Sequence, residues 1–174
     1  MAVEVQLRRY CVSSKKGEGW GVFVIGSYGF FSVVSDYGNY AFWWTHFGEG
    51  DFRAFLISLE WDYAAGKLGQ GHTKVFQGQS TIENVRDHIL QHRRDGSWSK
   101  ERALEEWELI ESTDLSIHPE DWMRATKIED AYELIRRDWP ADVLAFCKVL
   151  LPRFQQVLRD ELARETAPAA KAVG

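Results

Sequence analysis

His88 and His92 stand four residues apart in a stretch with helical spacing, an arrangement that lets two imidazoles reach one metal ion. The pair lacks the intervening glutamate of an H-E-x-x-H site and an evident third ligand. Arg93 and Arg94 follow directly and would repel a cation, and basic residues at a helix C-terminus are expected because they complement its dipole. The pair is therefore read as structural, with no metal. Ser35, Asp36 and His46 supply the residue types of a nucleophilic triad, but no G-x-S-x-G elbow accompanies them. Asp36 also occupies a position where a turn favours a carboxylate that bonds nearby backbone amides. Gly17-Glu18-Gly19-Trp20-Gly21 is glycine-rich, yet it leads into a strand instead of the helix N-terminus that a phosphate site requires. Two cysteines, Cys11 and Cys147, cannot form a cysteine-rich zinc site. No catalytic residue, metal or cofactor is assigned on these patterns.

Two other features could serve recognition. The segment Tyr37 to Trp44 carries Tyr37, Tyr40, Phe42, Trp43 and Trp44, a dense run of aromatics. Glu101, Glu105 and Glu108 share one side of a predicted helix. Net charge is −5. Residues 1–79 are balanced, whereas Glu101–Asp142 holds thirteen acids against five bases. An acid excess of this kind argues against general nucleic-acid binding, which needs a basic footprint. It suits a partner with a basic surface. An acidic stripe opposite an apolar one is otherwise simply the solvated side of an amphipathic helix.

The elements that must position these residues divide the chain by composition. Residues 1–79 hold 17 of the 24 aromatics and most of the glycines, and residues 80–174 are rich in Leu, Glu and Arg at helical spacing. This predicts an α+β fold: an N-terminal antiparallel meander of about four strands packed with a C-terminal set of about four to five helices. The expected strands are Val3–Val12, Trp20–Ile25, Phe30–Ser35 and Tyr40–Phe47, joined by turns too short for anything but antiparallel neighbours. On the fourth strand Ala41, Trp43, Thr45 and Phe47 face one way, and Tyr40, Phe42, Trp44 and His46 the other. One of Trp43 and Trp44 should then be deeply buried and the other more exposed.

Asp51 is placed to cap a short helix bearing Phe52, Phe55, Leu56 and Leu59, and Gly66–Gly71 breaks the helical pattern that follows. Thr73–Gln77 reads as a brief edge strand. Ser80 with Glu83 forms a capping box for the next helix. Ser99 opens another, whose buried stripe would be Ala103, Leu104, Trp107 and Ile110. A short helix is expected around Asp121–Ala125, a further one over Ile128–Asp138, and a last one from Pro140 to about Glu165 with a kink or break at Pro152. Residues 1–165 are read as a single α+β domain and 166–174 as a disordered tail. With no apolar run near twenty residues and two ordinary thiols, the reading is of a cytoplasmic protein with no membrane partner.

Ser35-Asp36-Tyr37-Gly38-Asn39-Tyr40-Ala41-Phe42-Trp43, Phe52-Arg53-Ala54-Phe55-Leu56 and Asp62-Tyr63-Ala64-Ala65-Gly66-Lys67-Leu68 carry a family resemblance. The chain resembles small bacteriophage and prophage accessory proteins with an SDYGNYA-x-W, FRxFL and DYxxGKL pattern. That resemblance transfers no residue role. It implies an accessory phage product of the bacterial host cytoplasm that binds and blocks a host protein or nucleoprotein complex. Anti-CRISPR proteins, which inhibit CRISPR effectors, are one such class. Two alternatives stand beside this non-enzymatic reading. One is an enzyme of unlocated chemistry acting on a small molecule or nucleic acid. The other is a single-strand nucleic-acid binder that stacks bases on the sheet aromatics.

Overall fold

The computed structural model describes residues 6–115 and 119–166. Strands β1 (Leu7–Val12), β2 (Gly21–Gly26), β3 (Phe30–Ser35) and β4 (Gly38–Trp43) form one antiparallel sheet in the order β1-β2-β3-β4. The predicted meander is present, and with the helices that follow it the fold is α+β. β4 stops short of Phe47 because its neighbour turns away. Gly29 sits at φ +87°, and a Cβ there would collide with the Trp44 carbonyl, so β3 begins only at Phe30. The beginning of the predicted first strand, Val3–Val5, lies outside the described residues, as does the tail beyond Thr166.

Helices follow the sheet directly: α1 (Phe52–Ser58) and α2 (Trp61–Leu68), then α3 (Gly78–Arg94), α4 (Lys100–Ser112), α5 (Pro119–Ala125), α6 (Ala141–Ala145) and α7 (Leu151–Thr166). Asp51 and Ser99 cap as expected, accepting from Arg53 N–H at 2.8 Å and Arg102 N–H at 3.2 Å. Three expectations are corrected. α3 begins at Gly78, ahead of the predicted capping box at Ser80 and Glu83. Gly66 lies within α2 and does not break it. Ile128–Asp138 is not a helix: a 3-10 turn at Ala131–Leu134 leads into a short strand β6 (Arg137–Asp138), which pairs with β5 (Val75–Phe76). Among the described residues no helix is long and apolar enough to cross a membrane.

The break expected at Pro152 takes a particular form. Between α6 and α7 the chain makes a π turn, Phe146–Leu150, and the Leu151 N–H reaches the Phe146 carbonyl five residues back. The widened turn ends where Pro152 removes a donor, so the helical path continues past a residue that cannot extend an ordinary ladder.

Contacts divide the chain into two compact units, one made of the residues up to His72 together with those from Trp139 onward, the other Thr73–Asp138. In the first, Phe23, Phe31, Leu56, Phe146, Leu150, Phe154 and Leu158 are buried against one face of the sheet, with Phe23 and Phe154 stacked 4.0 Å apart. Gln155 of α7 donates to the carbonyls of Leu56 and Leu59, satisfying the open end of α1. In the second, α3 and α4 enclose Val85, Ile89, Trp98, Ala103, Ile110 and Trp122.

Candidate interaction surface

Antiparallel register puts cross-strand partners on the same face, so the pairing defines both sides of the sheet. Arg8, Ile25, Phe31 and Phe42 form one row, and Tyr10, Phe23, Val33 and Tyr40 the next; these face the core. The opposite face consists of the rows Leu7, Gly26, Phe30, Trp43, then Arg9, Val24, Ser32, Ala41, then Cys11, Val22, Val34, Asn39. Leu7, Val34 and Trp43 on that face are 61%, 51% and 51% exposed. Phe30 and Trp43 meet edge to face with centroids 5.9 Å apart. Arg9 is the single charged residue in those rows.

The aromatic run of Tyr37–Trp44 is therefore divided. Trp43 stands on the open face. Trp44 is 3% exposed, surrounded by Phe31, Phe42, Phe52 and Phe55. Tyr40 is equally buried and donates its hydroxyl to the Tyr37 carbonyl at 2.7 Å. Phe42 is half-buried beneath Lys67, and Tyr37 is half-buried in the turn. Burial of one tryptophan and exposure of its neighbour follows the alternation, but Tyr40 and Trp44 present no surface to a partner. Sequence reasoning missed Leu7, Val24, Phe30 and Val34 as the residues that accompany Trp43. The signal was available in the strand alternation, once it was known which face the helices cover.

Glu101, Glu105 and Glu108 are all exposed on α4, in the other unit. Glu105 pairs with Lys127 at 2.8 Å, and hydrogen bonds with its own N–H and with Ser99 hold the Glu101 carboxyl below its ordinary range. The predicted stripe on the buried side is corrected at Leu104, which is half-exposed. Glu106 is buried in its place, accepting from the Thr126 hydroxyl at 2.6 Å and the Lys127 N–H at 2.8 Å.

The polar cluster that sequence reasoning missed centres on Arg53, which is buried. Its Nη1 and Nη2 reach the two Glu165 oxygens at 2.8 and 2.7 Å, and its Nε and Nη2 reach Asp51 at 2.9 and 2.5 Å. Glu161 joins at 3.3 Å, Arg8 bridges Glu161 and Glu165, and Tyr10 donates to Glu161 at 2.7 Å. Hydrogen bonds from Arg53 pull the Glu165 carboxyl down to about 2, and burial beside Glu161 pushes the Tyr10 hydroxyl up to about 12. A pocket of about 220 Å³ opens here, lined by Arg8, Ser27, Phe52 and Arg53 among others. Arg53 directs its donors at carboxylates the protein already holds, so the cluster acts as a rivet between β1, α1 and α7.

The remaining candidates are engaged elsewhere. Ser35 donates to the Gly38 carbonyl at 2.6 Å, Asp36 accepts from the Gly19 N–H at 2.7 Å, and His46 Nδ1 meets Thr45 at 3.0 Å. The triad types are not brought together. His88 and His92 lie with ring centroids 4.4 Å apart, and His92 stacks on Trp98 while its Nδ1 meets Ser97 at 2.8 Å. Burial and the neighbouring His92 lower the His88 pKa. Burial pushes the Cys147 thiol up to about 12, where it is a core side chain and not a nucleophile. Compared with known proteins, the chain matches a family model described as a phage family over residues 1–160. No curated protein and no solved structure matches it.

Proposed function

The chain belongs to that phage family, and from this premise we propose that it is a non-enzymatic accessory protein that binds and blocks a host protein or nucleoprotein complex in the bacterial cytoplasm. One observation carries the reading. A sheet covered on one side normally turns polar residues to the other, yet here Leu7, Val24, Phe30, Val34 and Trp43 occupy the uncovered side. Apolar surface left on a rigid frame is the physical basis of a docking site, and a half-exposed tryptophan among aliphatic neighbours is the residue type that dominates interface energetics. Arg9 is the one cation in that face, which supports a protein partner over a nucleic-acid strand, since the latter draws its affinity from phosphate contacts. The acids of α4 supply a second feature favouring a basic partner. A CRISPR effector, basic because it holds RNA, is the finer target within this class, and inhibition of one would make the protein an anti-CRISPR.

The test is capture from host lysate followed by reconstitution with the purified partner. Trp43→Ala should weaken that complex by about 2 kcal/mol or more, roughly thirtyfold, and binding should inhibit the partner's activity. A partner held equally well by the Trp43→Ala variant, or one whose activity is untouched, would refute the proposal.

A further inference from the structure

β1 is an edge strand, and such a strand keeps half of its backbone hydrogen-bonding groups outside the ladder. The register decides which half. The Ser27 N–H donates to the Gln6 carbonyl at 3.1 Å, so Gln6 and Ser27 form a hydrogen-bonded pair. Alternation then puts Arg8, Tyr10 and Val12 in the ladder with β2 and turns the N–H and C=O of Leu7, Arg9 and Cys11 outward. Among the described residues no other backbone group takes them up. All three side chains are exposed and lie on the open face. The ladder residues hold the edge in place: Arg8 and Tyr10 are tied to Glu161 at 2.8 and 2.7 Å. The ordering cost of docking therefore falls mainly on the incoming chain.

Charge selects the occupant. A second copy paired antiparallel in full register would set Leu7 against Cys11 and Arg9 against Arg9, and like charges directly opposite are destabilising. Among the described residues Arg9 forms no ion pair with a carboxylate; its guanidinium donates to Cys11 Sγ at 3.6 Å. The far edge is different in kind, since its outward residues Asn39, Ala41 and Trp43 carry no charge and α2 packs against β4.

We propose that the free edge of β1 is a β-augmentation site for an extended acidic segment of the blocked host protein, with a carboxylate opposite Arg9 and apolar or β-branched side chains opposite Leu7 and Cys11. This rests on the binding reading above and names the mode of that binding. The partner's main chain becomes a fifth strand, its backbone bonds supply affinity, and its alternate side chains extend the row that begins at Leu7 and continues through Phe30 to Trp43.

The test uses a displayed library of random heptapeptides selected on the purified full chain. Proline at position 9 deletes an outward donor without taking one from the β1–β2 ladder, a substitution edge strands tolerate. The selected peptides should carry an acid with apolar residues two positions either side, slow amide exchange at Leu7, Arg9 and Cys11, and bind Arg9→Pro at least about tenfold more weakly, since that variant loses a main-chain donor together with the Arg9 charge. Arg9→Glu should select basic peptides instead. Peptides without acidic bias, or held equally by Arg9→Pro, would overturn the proposal. Should Arg9→Pro fail to fold, an unchanged charge preference in Arg9→Glu overturns it. A host partner blocked equally by both Arg9 variants, but not by Trp43→Ala, would remove the edge and leave the blocking function standing. Acidic peptides taken up at the edge while no host protein is blocked would do the reverse.

Discussion

Trp43 and Trp44 are consecutive residues whose replacement should have opposite consequences. Trp44 is 3% exposed, with the rings of Phe42, Phe55, Phe31 and Phe52 at 4.7, 5.7, 5.9 and 6.0 Å. Truncating a tryptophan in such a site removes its transfer free energy and leaves a cavity that rigid neighbours cannot collapse, at a cost of about 3–5 kcal/mol. That is a large share of the ~5–15 kcal/mol that holds a domain folded. For a chain of this size each kcal/mol moves the melting point by about 2–4 °C, so Trp44→Ala should melt about 6–20 °C lower. Trp44→Phe should cost less than half as much, because it keeps an aromatic ring and deletes an indole N–H that is buried without an acceptor. Trp43 is 51% exposed and meets Phe30 edge to face, so Trp43→Ala should cost well under the Trp44 value, with the aromatic pair contributing ~0.5–1.5 kcal/mol. The assay is guanidinium and thermal unfolding followed by circular dichroism, run beside partner affinity. Equal destabilisation by the two alanine variants would refute the assignment of faces. Partner binding lost in a folded Trp44→Phe protein but kept in Trp43→Ala would refute the open face as the docking side.

Four further outcomes follow from named contacts. Glu165, held at about 2, and Asp51, held below its ordinary range, both have depressed folded-state values because of Arg53, so their contribution is present at neutral pH and is lost as pH falls from about 5 toward 2; Arg53→Met should flatten that limb of a stability–pH profile. With Ellman's reagent the native protein should release one equivalent of thionitrobenzoate as exposed Cys11 forms a mixed disulfide, and Cys147 should react only on unfolding. Glu106→Ala should cost about 1–3 kcal/mol in denaturant titration by stranding the Thr126 hydroxyl and the Lys127 N–H. Reversing Glu101, Glu105 and Glu108 to Lys should leave the melting point nearly unchanged while slowing association with a basic partner and flattening its salt dependence.

What was legible in the sequence is what short-range chemistry decides. β3 follows from the short turns that bound Phe30–Ser35, and the α1 and α4 starts follow from Asp51 and Ser99, because each requires only residues a few positions apart. Ile128–Asp138 shows the limit. Ala131, Tyr132, Leu134 and Ile135 have helical spacing, yet the chain ends that stretch as β6 against Val75–Phe76, a pairing with a segment more than sixty residues earlier that local periodicity cannot reveal. The Arg53 cluster was invisible for the same reason, since Arg53 and Glu165 are 112 residues apart. Leu104 and Glu106 exchanged roles because Glu106 finds its donors at Thr126 and Lys127 beyond the helix, and a satisfied carboxylate can take a buried position that hydropathy assigns to leucine.

The candidate surface was half legible, and the missing half is instructive. Alternation alone requires Trp43 and Trp44 to point to opposite sides, but both sides of β2, β3 and β4 carry apolar residues, so nothing in the strands themselves says which side is inside. The helices break that symmetry. Phe52 and Phe55 of α1 and Phe146 and Phe154 beyond it deliver their rings to the face that holds Phe23, Phe31 and Trp44. The face left over keeps Val22, Val24, Phe30, Val34 and Trp43 although polar residues there would leave the core intact. Those side chains lie outside the buried core, and each exposes apolar area to water that a serine or threonine would not. They lie beside an edge strand whose Arg9 meets no carboxylate among the described residues, and on the proposed reading the decisive substitutions are therefore at Trp43 and Arg9 and not in the acidic helix.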